Sequence, residues 1–301
     1  MIHLRPEAPA RTGRFAFTAL IGSNLLLAFG PWMVRLADVG PVAAGFWRLA
    51  IAAPFLLILA VRAGKGRPLP SVALLGMVVL GALFFAADLA AWHAGIRMTK
   101  LANAALFGNC SSFLFPIYGF LIARELPRAS QSLALLLAGF GTFLLLGSSY
   151  ELSGEHLLGD ILALLGGIFY FFYLVAIDRA RRTMAPMPVL ALATIAGTVP
   201  LLLFALALGE KIMPTQWTPL ILLSLGSQVL GQGLLVYAIA YLRPIVVGIA
   251  LLIQPVANAM IGWIGYGEAM SGVDIAGALM ICVALVLIRL RQPGASPVPA
   301  S

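Results

Sequence analysis

Inside long apolar runs, this 301-residue chain carries a small set of side chains able to do chemistry. Asn109, Ser112 and Pro116 recur at i, i+3 and i+7, with Asn103 nearly two turns earlier. Gln254 and Asn258 flank Pro255 at i, i+4, Gln228 and Gln232 repeat that spacing, and Ser23 and Asn24 lie side by side. On helices, each of these spacings puts its members on one face. Amides and hydroxyls suit the holding of a neutral or zwitterionic solute with hydrogen-bonding ends. They could equally bond one helix to the next, at about 0.6 to 2 kcal/mol each. Arg48 and Asp88 are the charges well inside apolar segments, both at a depth of roughly 10 to 12 Å from the same side. Paired, they would spare each other a cost of about 2.5 to 3.5 kcal/mol for an isolated charge in lipid. The open alternatives are that Asp88 takes up a proton or that Arg48 holds a substrate carboxylate. Pro54, Pro116, Pro200 and Pro255 each remove a backbone hydrogen bond and are expected as kinks or hinges.

What is missing narrows function as much. There is no His/Cys/Asp spacing for a metal, no G-x-S-x-G turn for a serine nucleophile and no GxxxxGK[ST] loop for a nucleotide. The expectation is therefore neither an enzyme nor a cofactor or metal protein, and no ATP-driven machinery in this chain. Cys110 and Cys282 fall in apolar segments and read as small hydrophobes, without a disulfide. The polar start, MIHLRPEAPARTGR, carries no cleavable apolar leader, so the first apolar segment is expected to stay.

The elements that must position these groups follow from solvent. Hydrophobic residues make up 61% of the chain, charged ones 10%, and mean hydropathy is +1.02. Such a surface needs lipid, and runs of about 20 residues span a bilayer core. Ten membrane helices are expected, at 14–34, 40–62, 71–94, 100–122, 129–147, 157–177, 187–208, 217–241, 244–266 and 271–289. Of 19 Lys and Arg residues, fourteen fall in segments on the side of the termini, four (Arg35, Arg97, Lys100, Lys211) on the other, and Arg48 within a helix. That bias places both termini in the cytoplasm of a bacterial inner membrane. It also accounts for the net charge of +8 as topogenic signals spread over loops, not a nucleic-acid face. The other side is relatively acidic, with Asp38, Glu151, Glu155, Glu210, Glu268 and Asp274. Trp32, Trp217 and Tyr266 read as interface anchors and His93 as a helix-end group.

The chain repeats itself. NCSSFLFPIYGFLIARE and LIQPVANAMIGWIGYGE superpose on a shift of 143 positions, which sets Glu125 on Glu268, Gly119 on Gly262 and Lys100 on Arg243. Pro54 likewise has a counterpart in Pro200. Five helices per copy is an odd number, so the second copy enters from the opposite side, as an inverted repeat. The boundaries expected are 14–148 and 157–290, with tails 1–13 and 291–301.

A five-helix inverted repeat whose fourth helix ends in Pro-x(12)-Glu resembles the drug/metabolite transporter superfamily, specifically EamA-type exporters. Pro255 to Glu268 fits closely; Arg48 in FWRLAIAA and Gly277 fit as well. In the first repeat Ser112 stands at the proline position, Pro116 follows one turn later, and the surrounding GNCSS is unusually polar. That departure resembles the aromatic-amino-acid exporter branch. The resemblance implies an all-α fold of two inverted halves around a central cavity, and export of amino acids or related metabolites. It also implies that Phe84, Trp92 and Tyr170 lie on cavity-lining helices, where they could stack on a substrate, joining Asn24, Asn109, Ser112, Gln228, Gln232, Gln254 and Asn258 as candidate binding residues. Phe84, Asp88 and Trp92 share a helical face by spacing. The expected partners are a small-molecule substrate and the bilayer, with facilitated, gradient-driven transport. The competing class is a membrane sensor or structural protein.

Overall fold

The computed structural model describes residues 10–64, 70–96, 98–99, 101–147, 154, 156–266 and 270–290. Arg97, Lys100, Glu151, Glu155, Glu268 and residues 1–9 and 291–301 of the tails lie outside the described residues, as does the side chain of Asn103 and of Tyr266. Among the described residues, ten helices are long and apolar enough to cross a membrane: α1 Phe15–Leu36, α2 Pro41–Ala63, α3 Val72–Gly95, α4 Ala104–Ala123, α5 Ala129–Leu146, α6 Leu157–Ala180, α7 Pro186–Ala207, α8 Thr218–Ile239, α9 Pro244–Ile264 and α10 Gly272–Leu290. Among the described residues there is no strand. The chain is a multi-pass membrane protein, and its ten spans match the apolar runs to within a few residues.

Packing is organised between the two halves. Helices α2, α4 and α5 each pack on their own counterparts α7, α9 and α10, while α3 with α6 and α1 with α8 form a matched pair of contacts. Exchanging each helix for its counterpart five places on returns the same set. That is the signature of a pseudo-two-fold axis. In lipid no hydrophobic force drives helices together, so close approach through small residues supplies the contact. At Gly277 a Cβ would lie 2.6 Å from the Gly141 carbonyl oxygen, and at Gly141 one would lie 2.7 Å from that of Gly277. This crossing of α5 and α10 explains why the position in α10 takes glycine.

Four spans are irregular. Helix α1 breaks at Phe29, ahead of Gly30 and Pro31, which lacks the N–H to continue the ladder. Helix α4 breaks at Asn109 and Cys110, where Asn109 Nδ2 donates to the Ala105 carbonyl (2.7 Å) and the backbone tightens to three-residue turns, Cys110 N to Phe107 O (3.1 Å) and Ser112 N to Asn109 O (3.0 Å). Helix α9 breaks at Leu252, just after the Leu251 carbonyl that Pro255 leaves without its helical donor. Helix α8 widens into π geometry over Leu223–Gly231. The four prolines expected as kinks or hinges differ in their setting. Pro255 sits at a break, Pro54 and Pro200 lie inside continuous helices, and Pro116 lies within Ser111–Ala123, past the break in α4.

On the face away from the termini, the α1–α2 and α7–α8 connections are tied together. Asp38 accepts from Lys211 Nζ (2.8 Å), Thr215 N (2.8 Å), Thr215 Oγ1 (2.5 Å) and Gln216 N (3.4 Å). Glu210 accepts from Ala43 N (2.8 Å) and Trp47 Nε1 donates to the Ile212 carbonyl (2.7 Å). The Lys211 ammonium, followed by the Thr215 donors, holds the Asp38 carboxyl well below the usual carboxylate range. A depressed folded-state value means that the carboxylate contributes stability above its unfolded pKa and loses it only as pH falls through the lower folded value. The Thr215 amide should therefore keep its exchange protection factor between pH 7 and pH 4, and lose it in Asp38→Asn. Loss of protection in the unaltered protein near pH 4 would contradict this account.

Candidate functional site

A cavity of about 810 Å³ lies in the half of the bundle away from the termini. Most of its lining comes from that half, and the rest from about mid-depth: α1 reaches it with Trp32, α2 with Arg48, α3 with Phe85, Asp88, Trp92 and His93, and α4 with Asn109, Ser111 and Ser112. Tyr170 of α6, Gln232 of α8 and Gln254, Pro255 and Asn258 of α9 complete the polar and aromatic wall. Three of the irregular stretches, in α4, α8 and α9, deliver these residues. Helix breaks at mid-membrane are tolerated where they line a cavity, and here they do.

The half near the termini is packed shut. Gly119 and Gly248 let α4 and α9 meet: a Cβ on Gly119 would lie 2.7 Å from Pro244 Cβ, and one on Gly248 would lie 2.5 Å from both the Ser112 carbonyl oxygen and Pro116 Cδ. Gly248 thus covers the carbonyl that Pro116 leaves without its helical donor. Tyr118 Oη donates to Asp178 (3.1 Å), Arg243 pairs with Glu125 (3.1 Å), and Arg181 Nε donates to the Val236 carbonyl (2.8 Å).

Of the residues expected to bind substrate, Trp92, Asn109, Ser112, Tyr170, Gln232, Gln254 and Asn258 line the cavity, as do Arg48 and Asp88. Others stand behind it. Asn24 is fully buried, accepting from Gln254 Nε2 (2.9 Å) and donating to the Leu20 carbonyl (2.7 Å), so it orients Gln254 instead of meeting the cavity. Gln228 is buried behind Arg48, and does not share the cavity wall with Gln232. Phe84 stacks on Phe172 and Phe169 with ring centroids 5.0 and 6.1 Å apart, off the cavity. The lining stripe of α3 is Phe85, Asp88, Leu89 and Trp92, at i, i+3, i+4 and i+7, because a strict i+4 series drifts around a helix of 3.6 residues per turn.

Arg48 and Asp88 share the wall without forming an ion pair. Arg48 Nε donates to Gln228 Oε1 (2.9 Å), and the guanidinium carbon lies 5.7 Å from the centre of the Phe85 ring. An amide oxygen and an aromatic face thus partner the cation, which leaves the carboxyl facing the cavity. Sequence spacing missed Phe85, His93 and Ser111 in the wall, and the support given to Gln232 by Tyr173 Oη (3.4 Å). It also assigned Trp32 to the interface, whereas that ring lines the cavity. Ser112 Oγ and His93 Nδ1 are buried without a hydrogen-bond partner among the described residues.

Two segments, residues 14–147 and 157–290, match the EamA-like transporter family. The chain belongs to that family. Relatives of this EamA-like transporter include two uncharacterized transporters of Archaeoglobus fulgidus. One is 26% identical over 295 residues, covering 94% of this chain and 98% of the relative. The other is 23% identical over 292 residues, covering 92% and 96%. A protein chain solved by crystallography shares the fold with a TM-score of 0.76 at 18% identity, over 95% of this chain and all of the other. The fold and the general activity, membrane transport, are those of an EamA-like protein. Neither relative's description carries a substrate.

Proposed function

We propose that this EamA-like transporter exports amino acids, neutral and aromatic ones foremost, from the bacterial cytoplasm by alternating access. The observation that carries the proposal is the cavity wall, where Arg48 and Asp88 stand in one enclosure with neither bound to the other. A zwitterion matches that pair: its carboxylate takes the guanidinium and its ammonium takes the carboxyl. Trp92, Tyr170 and Phe85 offer ring faces to the remaining side chain, while Asn109, Gln232, Gln254 and Asn258 supply adaptable hydrogen bonds. The break in α4 sets the polar GNCSS stretch against the cavity, in keeping with the aromatic-amino-acid branch. The arginine bias supports cytoplasmic termini in the inner membrane, so that the present cavity faces outward. A solute that carries its own counter-charges needs no proton to balance it, which favours transport down the solute's gradient.

Counterflow of labelled amino acids in proteoliposomes tests this reading. Saturable exchange of phenylalanine and leucine is expected, without uphill accumulation when a pH gradient is imposed. No saturable flux for any amino acid in the panel would overturn it.

A further inference from the structure

Behind Arg48 lies a chain of side chains that the cavity does not touch. Gln228 on α8 accepts from Arg48 Nε (2.9 Å), and its Nε2 donates to Thr194 Oγ1 on α7 (3.0 Å). Both supporting residues are sealed from solvent, Gln228 with 1% and Thr194 with 0% of its surface exposed. The orientation of the Gln228 amide follows from chemistry. A guanidinium has only donors, so the amide oxygen must face Arg48, and its NH₂ then needs an acceptor on the far side. Thr194 is that acceptor. Among the described residues Arg48 makes no other hydrogen bond, so its terminal Nη groups have no protein partner. With Nε occupied, the free edge of the guanidinium is the Nη1/Nη2 edge, which matches the two oxygens of a carboxylate.

We infer that Thr194 and Gln228 are positioning residues that hold Arg48 with its Nη edge to the cavity, making that side of the site selective for a ligand's carboxylate. The inference rests on the amino-acid reading above for its ligand, and on geometry alone for the positioning. A purely structural role, bonding α7 to α8, would make loss of the contact weaken every ligand alike. Positioning predicts a loss confined to ligands that carry the carboxylate.

The experiment compares L-phenylalanine with phenylalaninamide, which lacks only the carboxylate, on the full-length protein in proteoliposomes. Thr194→Val keeps the shape but cannot accept from the Gln228 amide, whereas Thr194→Ser can. The preference for phenylalanine over its amide should fall about tenfold in Thr194→Val, the scale of one charge-assisted hydrogen bond, and return in Thr194→Ser. In Gln228→Glu a carboxylate would neutralise Arg48, and the same preference should collapse with phenylalaninamide retained. A second readout needs no ligand: with ¹⁵N-arginine labelling, the Nε–H signal that disappears in Arg48→Lys should be protected from exchange in the unaltered protein and lose protection in Thr194→Val. Equal weakening of both compounds, an unchanged preference, or an Nε–H that exchanges freely from the start would overturn the inference. Should the unaltered protein bind neither compound, the amino-acid reading fails while Nε–H protection still decides the positioning.

Discussion

Replacing Arg48 by glutamine should lower the apparent affinity for phenylalanine about 10- to 100-fold, the equivalent of a hydrogen bond to a charged group at about 1.5 to 3 kcal/mol. The side chain is a cation of the cavity wall, which it shares with Asp88, and among the described residues its Nη edge has no hydrogen-bond partner. Lysine at this position keeps the charge but has no fork, so it should recover only part of the loss. Counterflow titrations of the three proteins, normalised to the amount reconstituted, measure the effect. If Arg48→Gln transports phenylalanine with the affinity of the unaltered protein, the carboxylate is held elsewhere and the proposed orientation of the substrate is wrong.

The second large effect is expected at Gly248. Its missing Cβ would fall 2.5 Å from the Ser112 carbonyl oxygen and from Pro116 Cδ, a backbone atom and a fixed ring, neither of which can swing aside. Alanine there overpacks the junction of α4 and α9 at a cost of about 1 to 3 kcal/mol. Relief comes from parting the two helices on the side of the termini. Gly248→Ala should lower the thermal midpoint by several degrees and make a cysteine placed at Ser112 reactive to a membrane-impermeant thiol reagent from that side, in a background without Cys110 and Cys282. Gly226 is the control, because a Cβ there meets nothing within 4 Å. Indistinguishable behaviour of Gly248→Ala and Gly226→Ala would refute the account of the seal.

How much of this was readable beforehand divides along physical lines. Lipid imposes a length and a composition on every span, so the ten helices stood out from hydropathy, and the 143-residue correspondence around Glu125 and Glu268 exposed the duplication. The site was partly readable for a related reason: an amide or charge in an apolar helix is costly unless it meets a cavity or a partner. That rule finds Arg48, Asp88 and Asn109 but cannot tell cavity from partner, and so it placed Gln228 and Asn24 one layer too far forward. Azimuth was the other failure. One residue of error is about 100° of rotation, enough to exchange Phe84 for Phe85. The breaks at Phe29 and at Asn109 and Cys110, and the wide stretch of α8, reset that rotation locally. Pro31, without its N–H, and Asn109, whose side chain shares the Ala105 carbonyl with the ladder, mark two of these places, and a uniform helical period contains none of them.

The pairing of helices across the repeats has a consequence for synthesis. The strongest contacts of α2 and α5 are with α7 and α10, α4 rests on α6 and α9, and α1 and α3 likewise rest on α8 and α6. When the ribosome has released the first five spans, the surfaces that will carry most of their packing are still turned to lipid. Each half is thus a unit of ancestry and of insertion, but not of folding. Tertiary structure waits for the second half to arrive, and the stability that follows belongs to the whole chain at once.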